Sequence, residues 1–287
     1  METKTRDVPE RGAMNIETIE VVKSETRQIA VQVNGSGVPF VWGHTLLGCM
    51  AQEDATGVFG WQDLTDIARV IRFDAIGHGR SEASQNPNDH TWESRADDLW
   101  EVANNYASKE QVVLGGASMG SATALHAACK HPGRVKALIL VIPPTAWEER
   151  ERQVKQYLKV SFYLTLLGGR GFKWLARAAR FELRRKRGFR EKLERNTALH
   201  MNVDDPDTII AALHGAAKSD LPSEELLAKL DMPTLILAWP NDRVHPVSTA
   251  EKLASILPNA ILSVAVHRKE PFEWPDVVRE FIQNVVR

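Results

Sequence analysis

Cysteine is scarce: the 287 residues hold two, Cys49 and Cys129. Neither joins histidines at zinc-finger spacing, so no zinc ligand set is visible and a disulfide framework has too little material. Both thiols are expected to stay reduced. Charge excess is scarce as well: 36 Lys and Arg against 37 Asp and Glu leave a net −1, which provides no global field for nucleic acid. No apolar run is long enough to span a bilayer, and Met1 to Gly12 is charged, without the apolar stretch of a signal peptide. The expectation is a soluble, cytoplasmic protein with no membrane span, no nucleic-acid partner, no metal and no cofactor. Repeats and low-complexity tracts are also missing. At 43% hydrophobic residues, the chain can build one sizeable α/β core with an insertion, or two small domains.

The pattern along the chain favours the first. Ile16–Val22 and Gln28–Val33 alternate with period two, as an edge hairpin does. Val38–Trp42, Arg69–Asp74, Val112–Leu114, Val135–Ile142, Pro233–Trp239 and Ala260–Val266 read as short strands, with Val135–Ile142 apolar and without alternation. Between them lie helical patterns, clearest at Thr91–Ala107 and Trp274–Val286; a further helix is expected within Gly57–Ile67, with Trp61, Leu64 and Ile67 on one face. Continuous apolar strands separated by helices imply a parallel sheet covered on both faces. After Pro143-Pro144 the strand rhythm stops. Residues 145 to 220 read as helix and loop, with a strongly basic stretch from Gly168 to Arg195 that includes Arg184-Arg185-Lys186-Arg187. The basic run is expected to be a solvated face, or a surface for an acidic partner or anionic substrate.

One stretch carries chemistry. Val112-Val113-Leu114 runs into Gly115-Gly116-Ala117-Ser118-Met119-Gly120, and an alanine-rich helix follows. Strand, sharp turn and helix around G-x-S-x-G match a nucleophile elbow, with Ser118 lifted clear of the sheet. The Met119 amide, at the helix start, can face a developing oxyanion. A second donor is expected from the loop after the preceding strand, Gly43-His44-Thr45, with the Thr45 amide favoured.

A base and an acid must then converge on Ser118. Histidine titrates near neutrality and can both take and return a proton. In the α/β-hydrolase order the serine comes first, then the acid, then the histidine, which leaves His200, His214, His245 and His267. Only His267 directly follows a predicted core strand and precedes the last helix, so it is the expected base. Asp242, in the loop Trp239-Pro240-Asn241-Asp242-Arg243-Val244-His245-Pro246, is the expected acid, with Glu148 as the fallback. Asp74 precedes the serine and is expected to fix the Gly77–Ser81 turn. His44, His78 and Trp147 fall near the predicted mouth and are candidate pocket residues. The insert's other aromatics, among them Tyr157, Phe162, Tyr163, Phe172 and Trp174, line either the pocket or the insert's own core.

Gly43-His44-Thr45, Asp74 to Ser81, Gly116 to Gly120, Asp242 and His267 together resemble the α/β-hydrolase family over nearly the whole chain. The resemblance implies a mostly parallel eight-stranded sheet with helices on both faces. Residues 1–143 and 221–287 would form the core, and 144–220 a helical cap. It also implies a serine hydrolase that cleaves a small or medium carboxylic ester through an acyl-enzyme. C–C bond hydrolysis and cofactor-free perhydrolysis are alternatives on the same triad, and a ligand receptor with little turnover is the rival of another kind. The partner is a small-molecule substrate; oligomeric state is not set by the sequence. Two positions depart from the family pattern. Gly43-His44 stands where His-Gly is usual, and Val266 precedes His267 where glycine is frequent.

Overall fold

The computed structural model describes residues 16–22, 26–57, 59, 61–183, 205–267 and 270–286. The strands are β1 (Ile16–Val22), β2 (Thr26–Asn34), β3 (Val38–Gly43), β4 (Ala68–Phe73), β5 (Val112–Ala117), β6 (Val135–Val141), β7 (Thr234–Ala238) and β8 (Ala260–Val264). They form one sheet in the order β1-β2-β4-β3-β5-β6-β7-β8. β2 is antiparallel to β1 and β4, and every later pairing is parallel. The helices are α1 (Met50–Thr56), α2 (Trp92–Ala107), α3 (Met119–Lys130), α4 (Arg150–Leu183), α5 (Pro206–Lys218), α6 (Glu224–Leu227), α7 (Val247–Ile256) and α8 (Trp274–Val286).

The unbroken apolar character of the central strands follows from burial on both faces. On β5, Val112 and Leu114 join a core shared with α2, α3 and α7. Val113 and Ala117 point the other way, into a core closed by α8 and the aromatic loop before β4. Phe40 and Trp42 of β3 face that second core, while Val41 faces the first. This is the period-two geometry of a strand applied to a sheet covered twice.

The region between α1 and β4 departs from the sequence expectation. The helix lies earlier, at Met50–Thr56, and ends at Gly57 with φ 64°. Phe59 and Trp61 both adopt positive φ, and only a single 3₁₀ turn, Gln62–Leu64, follows. Trp61 and Leu64 are buried all the same, because Trp61 packs edge-on to Trp42 at 4.8 Å. A three-residue apolar spacing was thus satisfied by an irregular loop, which hydrophobic periodicity alone cannot tell from a helix.

The helices between β6 and β7 carry a small core of their own. Tyr157 and Leu164 of α4 meet Ile209, Leu213 and Ala216 of α5, with Leu46 and Leu47 of the core loop packed against them. Arg150 ties the two ends of this insert together. Its guanidinium donates to the carbonyls of Ser219 (2.9 Å), Thr145 (3.2 Å) and Ala216 (2.6 Å) and lies 4.3 Å over the Trp92 ring. The run Arg184-Arg185-Lys186-Arg187 and His200 lie outside the described residues.

Candidate active site

The ends of β3 and β5 and the start of α3 meet at three glycines. A Cβ on Gly116 would overlap the Gly120 backbone, and a Cβ on Gly120 would overlap the Gly43 carbonyl. Helix α3 can therefore press against two strand ends, and the turn before it must be sharp. Ser118 carries the strain, with φ 53° and ψ −111°, a conformation that a residue with a side chain holds only when its surroundings impose it. Here Ser118 N–H donates to the Val141 carbonyl at 2.9 Å, while the Ser118 carbonyl accepts from Ser121 N–H and Oγ. The turn is thereby pinned from both sides, leaving the hydroxyl to point away from the sheet.

The Ser118 hydroxyl faces His245. The Nε2···Oγ distance is 2.8 Å, and the other ring nitrogen, Nδ1, lies 2.9 Å from Asp242 Oδ2. Serine, imidazole and carboxylate form one hydrogen-bonded line. Asp242 Oδ2 also accepts from Trp239 Nε1 at 2.8 Å, and Oδ1 accepts from the amides of Val244 (2.9 Å) and His245 (3.3 Å). Burial pushes the Asp242 carboxyl up. The hydrogen bond and charge of His245, with the donors from Trp239 and Val244, outweigh it and hold the group well below the ordinary carboxylate range. Asp242 is thus held as the carboxylate.

His267, the base expected from the sequence, does not take this place. It lies exposed in the loop after β8, where its amide and that of Val266 donate to Glu270 Oε2. The physical reason is local. Asp242 and His245 are three residues apart in the tight turn after β7, whose corner is Asn241 at φ 63°. That turn brings acid and imidazole into contact without any help from β8. The signal was present as Asp-x-x-His just before Pro246 and α7. Strand-end position does not single it out, because His245 neither ends a strand nor precedes the last helix. The fallback acid, Glu148, is at the surface and pairs with Lys252.

The three expected pocket residues have other work. His44 is 1% exposed; Nδ1–H donates to the Thr45 carbonyl (2.8 Å) and Nε2 accepts from Ala75 N–H (2.9 Å). Burial lowers its pKa to about 4, so it is a neutral staple between two loops. His78 is held likewise between the Ile76 carbonyl and the Leu47 amide. It borders a small cavity of about 40 Å³ that Leu47, Gly79, Ser81, Asp205 and Thr208 also line, but with both nitrogens engaged by backbone it offers no polar handle. The serine, the imidazole at 245 and Asp242 are not among that cavity's walls. Trp147 sits at the root of the insert, where its amide donates to Asp220 and its Nε1 to the Pro222 carbonyl.

Of the two expected amide donors, Met119 opens α3, in the first turn, where a helix supplies no acceptor for its N–H groups. Thr45 follows β3, and its carbonyl accepts from Gly48 N–H at 2.9 Å as well as from His44. Asp74 holds the Gly77–Ser81 turn, accepting from the amides of Met50 (2.7 Å) and Arg80 (2.9 Å). Phe162 and Tyr163 are exposed, so they belong neither to a pocket nor to the insert's core; the side chains of Phe172 and Trp174 lie outside those described. Among the described residues no group of three His, Cys, Asp or Glu could hold a metal ion, and no helix is long and apolar enough to cross a membrane.

A family model described as the alpha/beta hydrolase fold matches residues 52–270. The Caulobacter sp. (strain K31) protein named "Putative carbamate hydrolase RutD" is 27% identical over 208 residues, covering 71% of this chain and 74% of that one. Among solved structures, a thermophilic esterase from Thermogutta terrifontis superposes with a TM-score of 0.74 at 24% identity, over 94% of this chain and 100% of that one. Esterase RhEst1 from Rhodococcus sp. ECU1013 gives 0.71 at 22% identity, over 95% and 100%.

Proposed function

We propose that this chain, which belongs to the α/β-hydrolase fold family and is a hydrolytic enzyme, cleaves a small or medium carboxylic ester through an acyl intermediate on Ser118. The observation that carries the reading is the line from Ser118 Oγ through His245 to Asp242. Ser118 Oγ attacks the carbonyl carbon as His245 Nε2 takes its proton. The tetrahedral oxyanion collapses, the alkoxide leaves with that proton, and the acyl group stays on Ser118. Water then repeats the sequence with His245 again as base, releasing the acid and restoring the hydroxyl. Asp242 accepts the Nδ1–H throughout, which fixes the tautomer and stabilises the imidazolium that forms in each half.

The Met119 and Thr45 amides are the proposed oxyanion donors, each worth on the order of 10² in rate. Residues 144–220 act as a cap over the serine. Leu46 and Leu47, half-buried where the core loop meets the insert, support an acyl or alkyl group of aliphatic character, since such surface binds chiefly by its removal from water. The test is Ser118→Ala. It should abolish turnover of a short p-nitrophenyl ester and covalent labelling by a fluorophosphonate, while the far-ultraviolet circular dichroism stays unchanged. Labelling that persists in the variant would place the nucleophile elsewhere and end this reading.

A further inference from the structure

Gln153 stands apart from the other buried polar side chains of α4. It is 6% exposed, yet its carboxamide makes no hydrogen bond to any described residue. Nor is it sealed in the packing, as Gln32 Nε2 and Gln52 Oε1 are, so the head group borders space that a ligand can enter. Ser161 and Arg150, buried on the same helix, behave otherwise: the Ser161 hydroxyl donates to the Tyr157 carbonyl at 3.0 Å, and Arg150 is spent on the carbonyls of Ser219, Thr145 and Ala216.

The neighbours of Gln153 identify that space. Residues four positions apart share a helix face. Four before it, Glu149 Oε1 accepts from Ser248 Oγ at 3.1 Å, at the start of α7 and just past His245. Beside it, Arg152 donates to the Arg243 carbonyl at 3.1 Å. The root of the insert joins the same turn, with Thr145 N–H donating to the Val244 carbonyl at 3.0 Å. Four after it, Tyr157 belongs to the cluster that Leu46 and Leu47 border, in the loop that holds Thr45. Gln153 therefore lies between the turn carrying His245 and the loop proposed to carry an oxyanion donor, the two segments that flank the Ser118 hydroxyl.

We propose that Gln153 binds substrate, and that it holds an amide-type group, N–H beside C=O, on the alcohol half of the ester. The inference rests on the acyl-enzyme reading above. A carboxamide presents a donor and an acceptor side by side, and the edge of an amide, carbamate or ureide matches both. The alcohol half follows from the chemistry. His245 Nε2 hands its proton to the leaving oxygen, so the part of α4 that rests on the His245 turn adjoins the leaving group, while Leu46 and Leu47 border the acyl side. An apolar side chain at 153 would pack on this arc as Leu164 does. A carboxamide meets an aliphatic ligand at a loss, because closure strips its water and leaves donor and acceptor unpaired. A substrate with a matching polar edge avoids that loss.

The test compares two esters of one acid, 2-acetamidoethyl butanoate and its apolar isostere 4-methylpentyl butanoate. The wild-type kcat/KM should favour the amido ester. Gln153→Met keeps the length of the side chain and removes both polar atoms. It should lower the amido-to-alkyl ratio of kcat/KM about tenfold, the worth of one to two hydrogen bonds. Its urea midpoint should match or exceed the wild-type value, because no bond within the protein is lost. Gln153→Leu should behave alike. An unmoved ratio, an equal loss on both esters, a lowered midpoint with the ratio kept, or wild-type indifference between the two esters would overturn the inference. Fluorophosphonate labelling of Ser118 in the same samples keeps the two claims apart. Labelling with an unmoved ratio removes Gln153 from the site and leaves the acyl-enzyme standing, whereas a wild-type protein that does not label loses both.

Discussion

His245 and His267 can be told apart in one comparison. Replacing His245 by alanine removes the group 2.8 Å from Ser118 Oγ. Loss of a triad histidine costs on the order of 10⁴-fold or more in kcat, equivalent to at least about 5 kcal/mol of transition-state stabilisation. The same substitution should barely touch the fold. Asp242 loses the Nδ1–H but keeps Trp239 Nε1 and the amides of Val244 and residue 245 as donors, so no buried charge is stranded. The stability cost is then that of one hydrogen bond to a charged group, about 2 kcal/mol. His267→Ala alters an exposed side chain and should leave kcat within about twofold, since a surface change away from the reacting atoms rarely matters. The assay is steady-state hydrolysis of p-nitrophenyl acetate, with urea melts run in parallel. An inactive His267→Ala beside an active His245→Ala would refute the assignment of the base.

Three more outcomes follow from the same geometry. Trp239→Phe removes the second donor to Asp242 Oδ2 while keeping a ring stacked on Trp274, now at 5.6 Å and 6°; kcat should fall about tenfold with a stability loss near 1 kcal/mol, and unchanged kcat with the same stability loss would count against a positioning role. Gly120→Ala forces a methyl group into the Gly43 carbonyl, so stability in urea should drop by about 3 kcal/mol or more. His90 is buried beside the Arg95 guanidinium; burial first, then that charge, lowers its pKa to about 4. The unfolded chain protonates this histidine as pH falls from about 6.5 and the folded chain refuses the proton until about 4, so its stabilising contribution is full above that window and lost through it. His90→Asn should therefore cost about 2 kcal/mol more at pH 7 than at pH 4.5, read from urea midpoints; an equal cost at both values would show that the imidazole is not held neutral.

Some of this protein is written in short stretches of its sequence. The elbow is one, because strand, glycine, serine, small residue and helix are local events: only glycine at 116 and 120 lets α3 approach β3 and β5, and that requirement is visible in the string. The order of hydrophobic runs is another, since a run of consecutive apolar residues on β5 or β6 suits a strand buried on both faces and little else. Asp74 could be read as a turn anchor for the same reason, since Arg80 N–H and Ser81 Oγ–H, six and seven residues on, donate to its carboxylate and its carbonyl, whereas its bond from the Met50 amide, 24 positions away, is supplied by packing. The identity of the imidazole at Ser118 was decided otherwise. Ser118 and His245 are 127 positions apart, and several loops end at the same sheet edge, so the linear order admitted four histidines. The turn at Asn241, the grip of Trp239 on Asp242 and the path of the loop after β8 select among them, and each depends on how distant segments pack. The irregular loop at Phe59–Trp61 has the same cause. Its aromatic rings are placed by Trp42 across the core, and long-range packing overrode the helical spacing that the residues show on their own.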